Sequence, residues 1–463
     1  MPLDAPDLLT ERAHFSRAEA RELGKSLRRV VARSELAERR PAERDVIAHL
    51  REQNATRVPE LVPLRMQRML ASPFAFYRGT AGLMALDLGR DPHSGILVAS
   101  CGDAHISNFG FYASPERQLV FDLNDFDEAA VAPWEWDLKR LVTSVVVGGR
   151  EAGYAERDIE GVARRAIASY VSVLRRMVRL SPSDRYFLHL NVQSARRQMS
   201  RDGRRVLRDA LAAAERRTSA RAIRRTTERD ADGKVRFVEN PPTMVRFRLD
   251  EAEHVAGAER AESVHALFAQ YRDTVSIDID TVLAQYEPTD LARRVVGVGS
   301  VGTRCYLQLL QGADEDALLL QVKEAGESVL SKYGRIPQPA RITQGIAAHG
   351  EGYRVVGLQR VLQAVSDPFL GHFAANGRAF YVRQFHDMKG SVELDDLALD
   401  AFSDYAVACA GLLGRAHAQS PTAGQVLGYV GTSDAAPDAV VTWSISYADQ
   451  SLRDFETAKG IAW

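Results

Sequence analysis

The stretch that most restricts the possible folds runs from 293 to 325, RRVVGVGSVGTRCYLQLLQGADEDALLLQVKEA. An apolar segment enters Gly297-Val298-Gly299-Ser300-Val301-Gly302, a G-x-G-x-x-G loop. Thr303–Leu310 then reads as a second strand, Gly312–Asp316 as an acidic turn, and Leu318–Glu324 as a third strand carrying Lys323. Such a loop occurs in ordinary tight turns and in two kinds of phosphate site. A dinucleotide fold follows it with an amphipathic helix and an acid about 20 residues later. Here a strand follows. The strand–loop–strand–strand order suits the other kind. In it, backbone N–H groups around Gly297, Gly299, Ser300 and Gly302 cover phosphates, and the lysine reaches the α- and β-phosphates.

Composition sharpens the case for that lysine. Of 60 basic residues, 53 are arginine and seven are lysine. A coding habit accounts for the surplus of arginine but not for a lysine inside an apolar strand. The plain alternative is an edge-strand lysine whose head reaches solvent. A compact ammonium suits a triphosphate better than a planar guanidinium does. A glutamate could hold it, and Glu351 and Glu327 are both candidates.

Two acidic loops lie far upstream. GILVASCGDAH (95–105) reads as a strand entering a loop that continues through Ile106-Ser107-Asn108. Asp103 is a candidate general base, since a hydroxyl nucleophile needs a carboxylate near its proton. Asn108 offers a hard amide oxygen to Mg²⁺. His105 is the third candidate of this loop, orienting it by hydrogen bonding. RQLVFDLNDFDEA (117–129) is an apolar strand ending in Asp122, Asp125, Asp127 and Glu128. Four acids in seven residues are costly at a strand end unless they bind a cation or are well solvated. Asp125 is the preferred metal ligand, with Asp122 and Asp127 as alternatives.

These strings resemble known enzymes. Gly102-Asp103-Ala104-His105-Ile106-Ser107-Asn108 resembles the H-G-D-x-H-x-x-N loop of aminoglycoside and choline phosphotransferases, with Cys101 where histidine is frequent. Asp125-Phe126-Asp127 resembles their I-D-F-D segment, and Asp137 of Trp136-Asp137-Leu138 resembles the structural aspartate opening a core helix. Leu413-Gly414-Arg415-Ala416-His417-Ala418 is similar to the L-x-x-x-H-A helix that ordinarily precedes the catalytic loop. The order is rotated, with acidic loops first and glycine loop later. The resemblance thus implies an α+β, protein kinase-like two-lobed fold, circularly permuted, with helical insertions and a hinge near Tyr381–Lys389. The expected partition is a helical N-terminal extension (1–70), the catalytic-loop part of the helical lobe (71–180) and a helical and hairpin insertion (181–289). The glycine-loop and lysine β-lobe with hinge (290–400) and a returning helix with C-terminal tail (401–463) follow. SPFAFYRGTA, GDAHISNFG, FDLNDFDEA, PWEWDLKRL, VGVGSVGTR, LQVKEA and YVRQFHDMK also resemble the domain of unknown function 2252 family, over about 60–460. That family is grouped with kinase-like folds and supplies no substrate.

The implied activity is ATP–Mg²⁺-dependent phosphoryl transfer to a small-molecule hydroxyl or amine. The alternatives are AMP transfer by the same nucleotide site and a non-catalytic nucleotide- or partner-binding module. Arg78 and Arg304 are candidates for phosphate contact or for structural ion pairs. A nucleic-acid role would rest on residues 193–229, with 12 arginines against four acids. The residues between those arginines are alanine and leucine rather than stacking aromatics, which argues against it. A net charge of −1 favours neither nucleic acid nor a membrane surface. Three distant cysteines form no disulfide framework. MPLDAPDLLTERAHF is no secretory signal, no run of about 18 apolar residues occurs, and a cytoplasmic location is expected.

Overall fold

Residues 317–325 alternate in environment, and the surrounding sheet follows from that alternation. Leu318, Leu320 and Val322 enter an apolar cluster with Phe268, Tyr271 and Phe380. Leu319 enters a different cluster with Leu307, Leu309 and Phe385. Successive strand residues face opposite sides, so Gln321 and Lys323 share the face of Leu319. In the computed structural model of the protein, the described residues are 15–40, 44–188, 199–231, 233–247, 264–295, 297, 299–385, 390, 392–394 and 396–463.

The mixed α+β architecture has twelve strands among the described residues: β1 (Leu97–Ser100), β2 (Phe109–Ala113), β3 (Leu119–Leu123), β4 (Ala130–Pro133), β5 (Thr227–Arg229), β6 (Val235–Phe237), β7 (Met244–Phe247), β8 (Glu287–Arg294), β9 (Cys305–Gln311), β10 (Ala317–Ala325), β11 (Gly371–Ala375) and β12 (Arg378–Gln384). Six form one antiparallel sheet in the order β11-β12-β10-β9-β8-β7. Lys323 therefore sits on an interior strand and is only 3% exposed, which removes the edge-strand alternative. The helices Ala340–His349 and Glu351–Leu362 connect β10 to β11.

The antiparallel pairs β1–β4 and β2–β3 hold the acidic loops at neighbouring strand ends. Behind them, the helices Trp134–Glu151, Glu156–Val178, Leu399–His417 and Ala435–Lys459 share the largest apolar cluster, which includes Trp134, Trp136, Tyr170 and Trp443. The helix Arg17–Leu27 starts with a capping box from Ser16 and Glu19. Just after it, Arg28 Nε donates to the Tyr429 carbonyl at 2.9 Å and Arg33 Nη1 to that of Val430 at 2.9 Å. Those carbonyls end the helix Ala423–Val430 and have no partner within it.

Two expectations from the sequence need correction, that PFAFYRGTAGLMALDL is a buried turn running into a helix and that DGKVRFVENPPTMVRFRL (232–249) is a hairpin with a Pro-Pro break. PFAFYRGTAGLMALDL forms two helices, Pro73–Arg78 and Ala81–Leu88, not a turn entering one helix. Ser72 caps the first through Ala75 N, and Pro73 suits its first turn. Across the Pro241-Pro242 break no hairpin forms between 235–237 and 244–247. Instead β6 pairs with β5, and β7 joins the large sheet beside β8. Proline has no N–H for a ladder, and a tight turn from Asn240 to Met244 redirects the chain. Residues 193–198 of the basic stretch and 386–389 of the expected hinge lie outside the described residues. No described helix is long and apolar enough to cross a membrane.

Candidate active site

One face of the helix Trp134–Glu151 builds the first acidic loop. Positions 137, 140 and 144 fall on the same side at helical spacing. Asp137 accepts the backbone N–H groups of Cys101 (2.8 Å) and Gly102 (3.0 Å). Arg140 Nε donates to Asp103 Oδ1 at 2.8 Å, and Ser144 Oγ accepts from Ile106 N at 2.9 Å. Asp137 is fixed in turn by His417 Nε2 at 3.2 Å, whose Nδ1 lies 2.9 Å from Tyr170 Oη. The helix near the C-terminus thus supports the loop near residue 103.

Asn108 stitches the two loops together. Its Nδ2 donates to the backbone oxygens of Asp103 (2.9 Å) and Asp125 (3.1 Å). This leaves its Oδ1 without a hydrogen bond among the described residues. Gly102 permits the close approach. Its φ is +79°, and a Cβ there would stand 2.1 Å from the Glu128 carbonyl oxygen.

Lys323 arrives from the sheet. Its Nζ lies 2.7 Å from Asp127 Oδ2 and 3.5 Å from Asp125 Oδ1. Tyr381, directly opposite Lys323 in the β10–β12 register, donates its Oη to Asp127 Oδ1 at 2.7 Å. Burial works against the ammonium, but Asp125 and Asp127 outweigh it and hold the lysine well above its ordinary range. Burial and Asp125 push the Asp127 carboxyl up while Lys323 pulls it down. The net effect leaves the Asp127 carboxyl above its ordinary value.

Neither glutamate candidate is the lysine's partner. Glu351 accepts from Arg354 Nε at 2.5 Å, and Glu327 lines the cavity wall. Arg354 also donates to the carbonyls of Asp127 (3.0 Å), Gly326 (2.8 Å) and Ala129, tying the second acidic loop to the end of β10. Asp122 is buried away from the cavity, where Oδ2 accepts from Ala364 N at 2.8 Å. Asp125 is the more open carboxylate, its side chain 45% exposed against 25% for Asp127.

A cavity of about 740 Å³ is lined by Asp103, His105, Asn108, Asp125, Asp127 and Glu128, with Gly297, Gly299 and Ser300 on its far wall. A second, of about 530 Å³, contains Lys323, Arg383, Gln384 and Phe385, and shares Asp125, Gly297 and Ser300 with the first. Gly302 lines neither. Its φ is +86°, and its carbonyl accepts from Val58 N at 2.8 Å. Arg57 Nη1 donates to the Val301 carbonyl at 2.6 Å and Arg68 Nη1 to that of Gly297 at 2.9 Å. The segment 57–68 therefore grips the glycine loop from outside.

His105 is buried, with Nε2 3.7 Å from Asp103 Oδ2. Burial pushes its pKa down to about 4, so the ring is neutral at physiological pH. Arg304 forms an ion pair with Glu324 at 3.2 Å. Arg78 forms none among the described residues. Its Nε is buried without a hydrogen bond, and its side chain lines the cavity holding Asp103 and Asp125.

No group of three or more His, Cys, Asp or Glu could hold a metal ion among the described residues. The donor set fits Mg²⁺ in a narrower way. Mg²⁺ is commonly bound through one or two protein oxygens plus phosphates and water, and Asn108 Oδ1 with Asp125 provides two.

Sequence reading missed Arg140, Tyr381, Arg354 and Arg57. Arg140 had a signal, three residues after Asp137 on one helix face. The others depend on strand register or on contacts between distant segments.

Glu128 gives a prediction. Burial, reinforced by Asp127 and Asp103, pushes it up to about 7, although Val329 N donates to its Oε2 at 2.7 Å. A carboxyl raised in the folded state holds its proton there while the unfolded chain has released it. Its contribution to stability is full below the unfolded value of 4.5 and is lost as pH rises toward 7. Glu128→Gln keeps an acceptor for Val329 and removes the titration. Urea denaturation from pH 4.5 to 8 should show the variant gaining on wild type as pH rises; parallel profiles would refute the assignment.

No curated protein and no solved structure matches the chain. A family model matches residues 57–459, so this chain belongs to the family described as "uncharacterized protein conserved in bacteria" (DUF2252).

Proposed function

We propose that the chain is an ATP–Mg²⁺-dependent phosphotransferase of kinase-like, circularly permuted fold that acts on a small-molecule hydroxyl or amine. One observation carries the reading. Lys323, on the second strand after the glycine loop, meets Asp125 and Asp127 of a single loop, 198 and 196 residues upstream. The same strand order supports permutation, with β8 and β9 flanking the glycine loop, β10 beside β9, and β12 leading towards the expected hinge.

In this reading Asp103 takes the proton from the acceptor. Arg140 on Oδ1 fixes the carboxylate and leaves Oδ2 to face the acceptor. Lys323 binds the phosphates and, in doing so, exchanges its contact with Asp127 for the nucleotide. Gly297, Gly299 and Ser300 cover them with backbone N–H groups. Asn108 and Asp125 would hold Mg²⁺, which when bound neutralises charge on the transferred phosphoryl group. His105, neutral and buried, packs under Asp103 as a positioning residue. Three free, buried cysteines suit a reducing cytoplasm.

The test is titration of a non-hydrolysable ATP analogue with and without Mg²⁺, then turnover of labelled ATP with hydroxyl and amine acceptors. Saturable, Mg²⁺-dependent binding and label transfer are expected. Transfer of AMP rather than phosphate would redirect the chemistry at the same site. Absence of nucleotide binding would sink the proposal.

A further inference from the structure

A third cavity, of about 710 Å³, lies outside the site just described. Five arginines line it, Arg216, Arg217, Arg221, Arg225 and Arg294, and among the described residues no acidic one does. Two of them, Arg221 and Arg225, lie four residues apart on the helix Ser219–Thr226 and so project from one side. Arg294, at the end of β8, forms the opposite wall and stacks on Phe385 at 4.7 Å. Phe385 also lines the Lys323 cavity, so the two compartments share a wall.

Arg216, Arg221, Arg225 and Arg294 set like charges around one concavity, and burial pulls the Arg294 guanidinium below its ordinary value with no carboxylate among the described residues lining the cavity to offset it. A multivalent anion would relieve both. Guanidinium groups bind phosphate oxygens two at a time, which suits arginine over lysine. The volume is that of a small-molecule site. Its apolar floor of Val238, Met244 and Phe385 offers one aromatic ring, too few for successive stacked bases.

We propose that this cavity binds a small, multiply phosphorylated metabolite, separately from the nucleotide, and reports its presence to the Lys323 cavity through Phe385. The site does not depend on phosphotransferase activity and would stand if that activity were absent.

The experiment uses the full chain and inorganic tripolyphosphate as probe, by calorimetry at constant ionic strength. Arg221→Gln/Arg225→Gln alters two exposed cavity arginines. Arg205→Gln/Arg208→Gln makes the same charge change on the preceding helix, outside the cavity lining. Saturable binding should weaken at least tenfold in the first variant and stay within twofold in the second, while affinity for the ATP analogue is unchanged in both. No saturable binding, equal weakening in the two variants, or no weakening in the first would overturn the proposal. So would tighter binding of a mixed 12-nucleotide strand than of tripolyphosphate through the same arginines.

Discussion

Lys323→Met is expected to lower ATP turnover by about 10²–10³-fold, the range for removing one preorganised electrostatic contact to a reacting phosphoryl group. It should also cost stability. Lys323 is buried on an interior strand, and its loss leaves Asp127 beside Asp125 with Tyr381 as its neutral donor. Breaking one side of a buried pair costs about 3–5 kcal/mol. The partial exposure of Asp127 moves the expectation to the lower end of that range. Because misfolding alone could abolish turnover, Lys323→Met/Asp127→Asn is the decisive companion. Without the orphaned carboxylate, the double variant should recover about 1–3 kcal/mol in urea denaturation, as contacting residues couple, yet remain inactive and bind the ATP analogue poorly. A double variant that regained turnover would show that the lysine serves folding alone.

Much of this site was legible because its chemistry is concentrated in short strings. Asp103, Asn108 and Asp125 each follow an apolar strand, and an acid at a strand end stands out against period-two burial. Lys323 stood out because the chain hardly uses lysine and the strand around it is apolar. Its partner was not legible. Glu351 and Glu327 were only candidates, and Glu351 faces Arg354 three residues along its own helix while Asp127 takes the lysine. That choice depends on how loop 124–129 meets β10, and Arg354 sets the meeting through three backbone carbonyls. Backbone contacts of this kind leave no periodic trace. The same applies to the grip of Arg57 and Arg68 on the glycine loop, made across more than 220 residues of sequence. Strand pairing after Pro241-Pro242 was misread for a related reason. The hairpin reading of 232–249 put a strand on each side of the Pro-Pro break, but partner choice was settled by a turn at 240–244 and by the open edge of β8.

Asp103→Asn separates proton transfer from binding. A positioned general base contributes about 10²–10⁴-fold, so turnover should fall by that factor while affinity for the ATP analogue stays within threefold. The substitution is mild structurally. The asparagine oxygen can still accept from Arg140 Nε, and the loop backbone stays fixed by Asp137 on Cys101 and Gly102 and by Ser144 on Ile106. The contrasting change is Asp137→Ala. It strips two backbone N–H groups and His417 of their acceptor in a fully buried place, and an orphaned buried donor costs about 1–3 kcal/mol. Asp137→Ala should therefore lower the unfolding midpoint and turnover together, whereas Asp103→Asn lowers turnover with the midpoint nearly unmoved. If Asp103→Asn left turnover intact, the proton would have to leave by another group, and the cavity offers Glu128, which holds its proton to about pH 7, as the next to replace.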